Sequence, residues 1–238
     1  FSNVPTEARW SYSFVGGLAS FYDIENASYD SVSLDVSGQE SAATGFFFKD
    51  DGTKMYVVGI SSDSVYQYSL STAWDLSTAS YDSVSFSVAG QDSLPFDLFF
   101  KDDGTKMYVV GYDNDRVYQY SLSTAWDLST ASYDSVSFSV GGQDTSPTGF
   151  FFKDDGTKMY ILGGGNDTVY QYSLSTAWDV STASYDSVSF SVGGQETSPQ
   201  GLFFKDDGTK MYVIGSNSNT VYQYSLSTAW DLSTASYD

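Results

Sequence analysis

The tetrapeptide Ala-Ser-Tyr-Asp stands at Ala27, Ala79, Ala131, Ala183 and Ala235, so four units of 52 residues lie between its first and last copies. A chain written this way gives every unit the same local structure and buries each unit against its neighbours, because one such unit is too small to enclose a core. Periods of this length indicate propellers or solenoids. The chain divides accordingly into residues 1–26, an extra strand or partial blade, and residues 27–238, the repeated body.

Within a unit the apolar residues favour strands. An aromatic run (Phe46 to Phe48) is followed by Met55 to Val58, by alternating Val65-Tyr66-Gln67-Tyr68, and by Val84-Ser85-Phe86-Ser87-Val88. No amphipathic helical period occurs. Between the first two strands sits Lys49-Asp50-Asp51-Gly52-Thr53-Lys54, returning at Lys101, Lys153 and Lys205. Asp-Asp-Gly signals a tight hairpin in which Gly52 takes the positive φ that other residues resist, and in which the aspartates bond to backbone amides. Four strands joined by hairpin-length loops describe one propeller blade.

The run from Gly45 to Gly59, GFFFKDDGTKMYVVG, followed by VYQYSLST from Val65, resembles the F-S-P-D-G-K-x-L-Y-V pattern of YVTN, TolB and NHL-type propeller repeats. Asp50 stands in place of that pattern's proline. The resemblance covers Ala27 to Asp238 and implies that the strand before Asp-Gly is innermost and that Ser83 to Val88 is outermost. The expected fold is therefore all-β: a small β-propeller of four-stranded antiparallel blades, with four blades closed by Ser31 to Val36 pairing with the unit that holds Tyr222. Arg9 to Val15 alternates like one more strand, so a five-bladed ring, or completion by another molecule, is the alternative.

Composition narrows function. Thirty acidic residues against ten basic ones give a formal charge of -20, which repels phosphate backbones and anionic lipid, so nucleic acid is not an expected partner. No apolar run approaches a membrane span. Histidine and cysteine are both absent, which removes imidazole bases, thiolate nucleophiles and the usual zinc and copper ligands. An acidic, cysteine-free chain rich in tyrosine and serine suits an extracellular or virion surface.

On the blade topology, KDDGTK and STAWDLSTASYD share one face and hardly change, while the loops reading ISSDS, YDNDR, GGNDT and SNSNT share the other and drift. The second unit departs most, with Phe96, Asp97, Tyr112 and Arg116 on the drifting face. They are candidate ligand contacts, set against plain drift in exposed loops. Trp74, Trp126, Trp178 and Trp230, each followed by aspartate, invite a carbohydrate reading in which the indole stacks on a sugar and the carboxylate takes its hydroxyls, one weak site per blade adding avidity. The competing reading wedges each tryptophan between blades and uses Asp75 and its copies to cap the following turn. Asp50-Asp51 and its copies invite calcium, yet adjacent turn residues point apart and two lysines lie close, so no cofactor is expected. Asn26-Ala27-Ser28 and Asn166-Asp167-Thr168 match the N-glycosylation pattern.

Near-identical units place the same groups symmetrically, whereas an active site needs different groups converging, so the chain is expected not to be an enzyme. The sequence-level conclusion is a binding or surface-architecture propeller with a protein or glycan ligand. Its alternatives are a multivalent lectin-like module, and a filament or coat subunit joined through Arg9 to Val15.

Overall fold

The computed structural model describes residue 24 and residues 27–238. The chain divides at Ser31 and Val32, and the body that begins there is an all-β, four-bladed propeller. Blade 1 contains β1 (Ala43–Phe48), β2 (Lys54–Gly59), β3 (Ser64–Leu70) and β4 (Ala79–Ser87). Blade 2 contains β5 (Pro95–Phe100), β6 (Lys106–Gly111), β7 (Arg116–Leu122) and β8 (Ala131–Ser139). Blade 3 runs through β9 (Pro147–Phe152), β10 (Lys158–Gly163), β11 (Thr168–Leu174) and β12 (Ala183–Ser191). Blade 4 is β13 (Pro199–Phe204), β14 (Lys210–Gly215), β15 (Val221–Leu226) and β16 (Ala235–Tyr237). All pairings are antiparallel between consecutive strands. Inner strands meet from blade to blade, β1 with β5, β5 with β9 and β9 with β13, so they gather about the axis as expected.

The hairpin motif works through two contacts. Gly52 takes φ 69°, and an added Cβ would lie 2.4 Å from the Trp74 ring, so only glycine can both turn the chain and floor that indole. Asp51 accepts from Lys49 Nζ at 2.6 Å, from the Thr53 hydroxyl at 2.6 Å and from the Thr53 N–H at 3.0 Å, and these bonds hold its carboxyl at about 2.

A β-bulge sets the link between blades. The register of β3 on β4 slips between Gln67 and Tyr68, and Ser83 opposite takes φ 58°. The slip turns the Asp82 carboxylate toward β3, where it accepts from Gln67 Nε2 at 2.7 Å, Ser69 Oγ at 2.8 Å and Lys54 Nζ at 3.2 Å. Gln67, thus oriented, accepts the Leu128 N–H of blade 2 through its side-chain oxygen at 2.9 Å. Gln119 and Gln171 make the same bond to Val180 and Leu232. Tyr56 adds a second tie by donating its hydroxyl to the Trp126 carbonyl at 2.7 Å, with Tyr108 to Trp178 and Tyr160 to Trp230 as copies.

The expected closure does not form. β15 pairs with β16 of its own unit, while Leu34 and Val36 pack against Met55 and Val57 of blade 1 and join no sheet. The reason is the side-chain pattern: Leu34 and Val36 occupy on blade 1 the place that Phe86 and Val88 occupy on blade 2, as the trailing half of a preceding blade's outer strand. Arg9 to Val15 lies outside the described residues. Among the described residues no helix is long and apolar enough to cross a membrane.

Candidate functional site

Strand direction separates the two ends of the axis. The Asp-Asp-Gly turns close one end; the loops after β2, β6, β10 and β14, with those leading into the inner strands, close the other.

At the hairpin end, Asp50, Asp102, Asp154 and Asp206 act on one another's charge. Burial first, then the neighbouring carboxylates, raise Asp50, Asp102 and Asp154, with Asp102 at about 6. Among the described residues no group of three or more acidic side chains could hold a metal ion. The crowding carries a pH signature. A carboxyl raised in the folded state above its unfolded value near 4 favours the protonated form, so it costs nothing below about pH 4 and its full penalty is reached above about pH 6. Asp102→Asn is expected to stabilise the protein at pH 7 by roughly 1 kcal/mol after discounting for solvent screening, and by nothing at pH 4. Urea unfolding at both pH values measures the difference; equal effects would remove the carboxylate ring as the cause.

At the opposite end, each drifting loop is clamped by one buried carboxylate that sequence reasoning did not single out. Asp144 accepts from the backbone N–H groups of Ser146 at 2.8 Å, Gly165 at 3.2 Å and Asn166 at 2.9 Å. Asp92 holds Leu94, Asp113 and Asn114 in the same manner. Glu40 and Glu196 replace these aspartates where the loop carries Ser62 and Ser218, whose hydroxyls they also accept. The Ser218 hydroxyl and the loop amides hold the Glu196 carboxyl below its usual range. The signal was present as the recurring Gln-Glu or Gln-Asp pair, and its pairing of Glu with Ser and Asp with Asn shows that loop and clamp change together.

The four candidates of the second unit do not converge. Phe96 and Tyr112 stack with ring centres 5.0 Å apart, both partly exposed beside the loop after β6. Asp97, half-buried, stands where the other inner strands have Gly45, Gly149 and Gly201. Its carboxylate accepts the Phe150 N–H of blade 3 at 3.2 Å and its neighbour Leu98 N–H at 2.9 Å. On the other side, a Cβ on Gly45 of blade 1 would lie 2.7 Å from it. Crowding by protein pushes this carboxyl up to about 7 against the pull of those two N–H groups. Arg116 points elsewhere, donating to Ser137 at 3.1 Å in a shallow pocket with Tyr118 and Tyr133.

Trp126, Trp178 and Trp230 fall into the wedge arrangement. Trp126 is buried over Gly104, stacked on Phe100 at 5.5 Å and lying against Phe47 and Tyr56 of blade 1. Trp178 repeats this, and Trp230 follows it with Phe151 and Phe204. Buried indoles present no face to a sugar, so the carbohydrate reading of Trp126 and Trp178 is corrected to one of blade packing; Trp230 is partly exposed and Trp74 is open. Asp75 and its copies cap the 3₁₀ turns that follow, accepting the Ser77 N–H at 3.0 Å in the first unit.

No protein-family model and no curated protein matches the chain. Solved structures share its fold. A protein from Lactobacillus plantarum superposes with TM-score 0.57 at 16% identity, over 82% of this chain and 53% of that one. A candidate 6-phosphogluconolactonase from Bacteroides uniformis gives 0.56 at 14% identity, with the same 82% and 53% coverage. The periplasmic gluconolactonase of Pseudomonas aeruginosa gives 0.51 at 16% identity, again over 82% and 53%. This chain thus spans about half the length of each. The expectation that the chain is not an enzyme is overturned on the same ground: proteins named as lactonases share this architecture, and the symmetry on which that expectation rested is broken at Asp97. What the comparisons support for this chain is its fold alone, and the four antiparallel four-stranded blades of that β-propeller are read from its own sheets.

Proposed function

We propose that the chain binds a hydroxylated ring compound of the carbohydrate class at the variable mouth of blade 2. The observation that carries this reading is Asp97: one carboxyl on an inner strand where the three sister strands have glycine, in the residue that follows Phe96, whose ring stacks on Tyr112. Aromatic faces receive the apolar side of a sugar ring, and a carboxyl takes its hydroxyls. Asp92 ties the loop that follows Tyr112 to the chain entering β5, which carries Phe96 and Asp97. The resemblance to YVTN, TolB and NHL-type repeats supports a scaffold that places its site on variable loops, and the acidic, cysteine-free surface supports an extracellular or virion setting.

Titration calorimetry against a panel of monosaccharides and aldonolactones tests the reading. Phe96→Ala and Asp97→Asn are each expected to weaken binding at least about tenfold, the loss of roughly 1.4 kcal/mol, while Arg116→Ala leaves it unchanged. Binding that survives both substitutions would place the site elsewhere.

A second reading rests on the Asp97 carboxyl at about 7, where it exchanges protons near neutral pH as an acid–base group must. In this reading it activates water against a sugar lactone, the substrate class in the names of the similar folds. Turnover of gluconolactone that rises with pH through about 7 and disappears in Asp97→Asn would establish it; binding with no turnover would leave the first reading alone.

A further inference from the structure

Three interfaces inside this molecule are built alike, and each joins a receiving face to an inserting face. Between blades 1 and 2, Val58 and Val65 receive Leu98, Phe100 and Trp126. The pattern repeats between blades 2 and 3 and between blades 3 and 4. Two faces of the same kinds have no such partner in the described body, since no comparable contact joins β13 to β1.

Exposure identifies them. On the inserting face of blade 1, Phe46 is 66% exposed where its counterparts Leu98 and Phe150 are 2% and 1%, and Trp74 is 60% exposed where Trp126 is 9%. On the receiving face of blade 4, Ile214 and Val221 are 48% and 42% exposed where Val58 and Val65 are both 0%. Apolar side chains that are sealed three times over are open at both ends.

The outer strands show the same gap. β4 spans nine residues, and its continuation Val88 is buried against blade 2; β16 spans three, so the first half of β15 has no outer partner among the described residues. A segment of the same pattern lies on blade 1. Val32 to Val36 lie there without a sheet, with Leu34 and Val36 in the seats of Phe86 and Val88. Ser31, just before them, already has the bulge conformation, φ 61° against 58° at Ser83.

We infer that copies of this chain associate head to tail, the receiving face of blade 4 on one copy taking the inserting face of blade 1 on the next. Residues 32–36 of the second copy then extend the outer edge of β15 beyond Tyr237, adding strand pairing to apolar burial. The contact is heterologous, because two different faces meet. It is separate from the mouth of blade 2 and does not depend on what binds there.

Light scattering over a concentration series tests this with one substitution on each face: Phe46→Asp on blade 1 and Ile214→Asp on blade 4. The unsubstituted chain is expected to exceed its 26.0 kDa monomer mass by whole multiples. Each variant alone is expected to remain at monomer mass, and an equal mixture to reach twice that mass and no more, since only one sound pair of faces is left. A monomer at every concentration would overturn the inference, as would a mixture that stays monomeric or variants that assemble unimpaired. Circular dichroism confirms folding; should either variant unfold, Trp74→Glu and Val221→Glu probe the same two faces.

Discussion

Trp126→Ala destabilises the protein by about 3–5 kcal/mol, whereas Trp74→Ala, the same change in the same local sequence, costs less than about 1. The difference lies in what each indole touches. Trp126 is packed between blades, against Phe100 of its own inner strand and Phe47 and Tyr56 of the blade before. Removing it leaves a cavity at the seam, which also holds the hydroxyl of Tyr56 to the Trp126 carbonyl. Trp74 covers Gly52 and meets Phe48 at 5.4 Å, but its outer face is open. Urea unfolding followed by circular dichroism gives both numbers. Equal costs would mean that the seams between blades do not carry the stability assigned to them.

Asp144→Ala is the second large effect, expected at about 3 kcal/mol, because three backbone N–H groups lose their acceptor at once and each unsatisfied donor costs about 1 kcal/mol or more. Asn at this position keeps one carbonyl oxygen in place and is expected to cost about 1 kcal/mol. The loop from Gly164 to Asp167 should open first, so amide hydrogen exchange reads the effect at Gly165 and Asn166 before any global unfolding. Gly163 belongs to the same device. A Cβ there would lie 2.3 Å from the Asp144 carboxylate, so the strand ends in glycine to let the clamp approach. Protection at Gly165 and Asn166 that is unchanged in Asp144→Ala would reject the clamp.

Much of this fold was legible because its signals are local. The turn at Gly52, the alternation in VYQY and the cap at Asp75 each depend on residues a few positions apart, and the structure has them where the sequence placed them. The wedge reading of the tryptophans was also open to sequence reasoning, since an indole that recurs once per unit has a recurring neighbour. The role of Asp82 was not legible. Its partners Lys54 and Gln67 lie 28 and 15 positions away, and the bulge that aims it leaves no mark beyond an ordinary serine at 83. Closure was misread for a related reason: the composition of Ser31 to Val36 says that it is an outer-strand copy, but not which blade it trails. In blade 2, sequence divergence singled out Phe96, Asp97, Tyr112 and Arg116; Phe96 and Tyr112 stack, Asp97 reaches across to blade 3, and Arg116, at the start of β7, turns to Ser137, directions that the sequence does not carry.

The ties between blades are the same each time: a glutamine to a backbone amide and a tyrosine to a tryptophan carbonyl, over a seam of nearly invariant side chains. Apart from the contacts of Asp97 in blade 2, these ties therefore give a blade no means of telling its rightful neighbour from the next one along the chain. Only tether length does so, by holding the following unit at high local concentration while more distant units must search for the same seat. Folding fidelity in this molecule thus rests on the tether between units, and synthesis from the N-terminus, which presents one new blade at a time, reduces the competition that refolding of the whole chain creates.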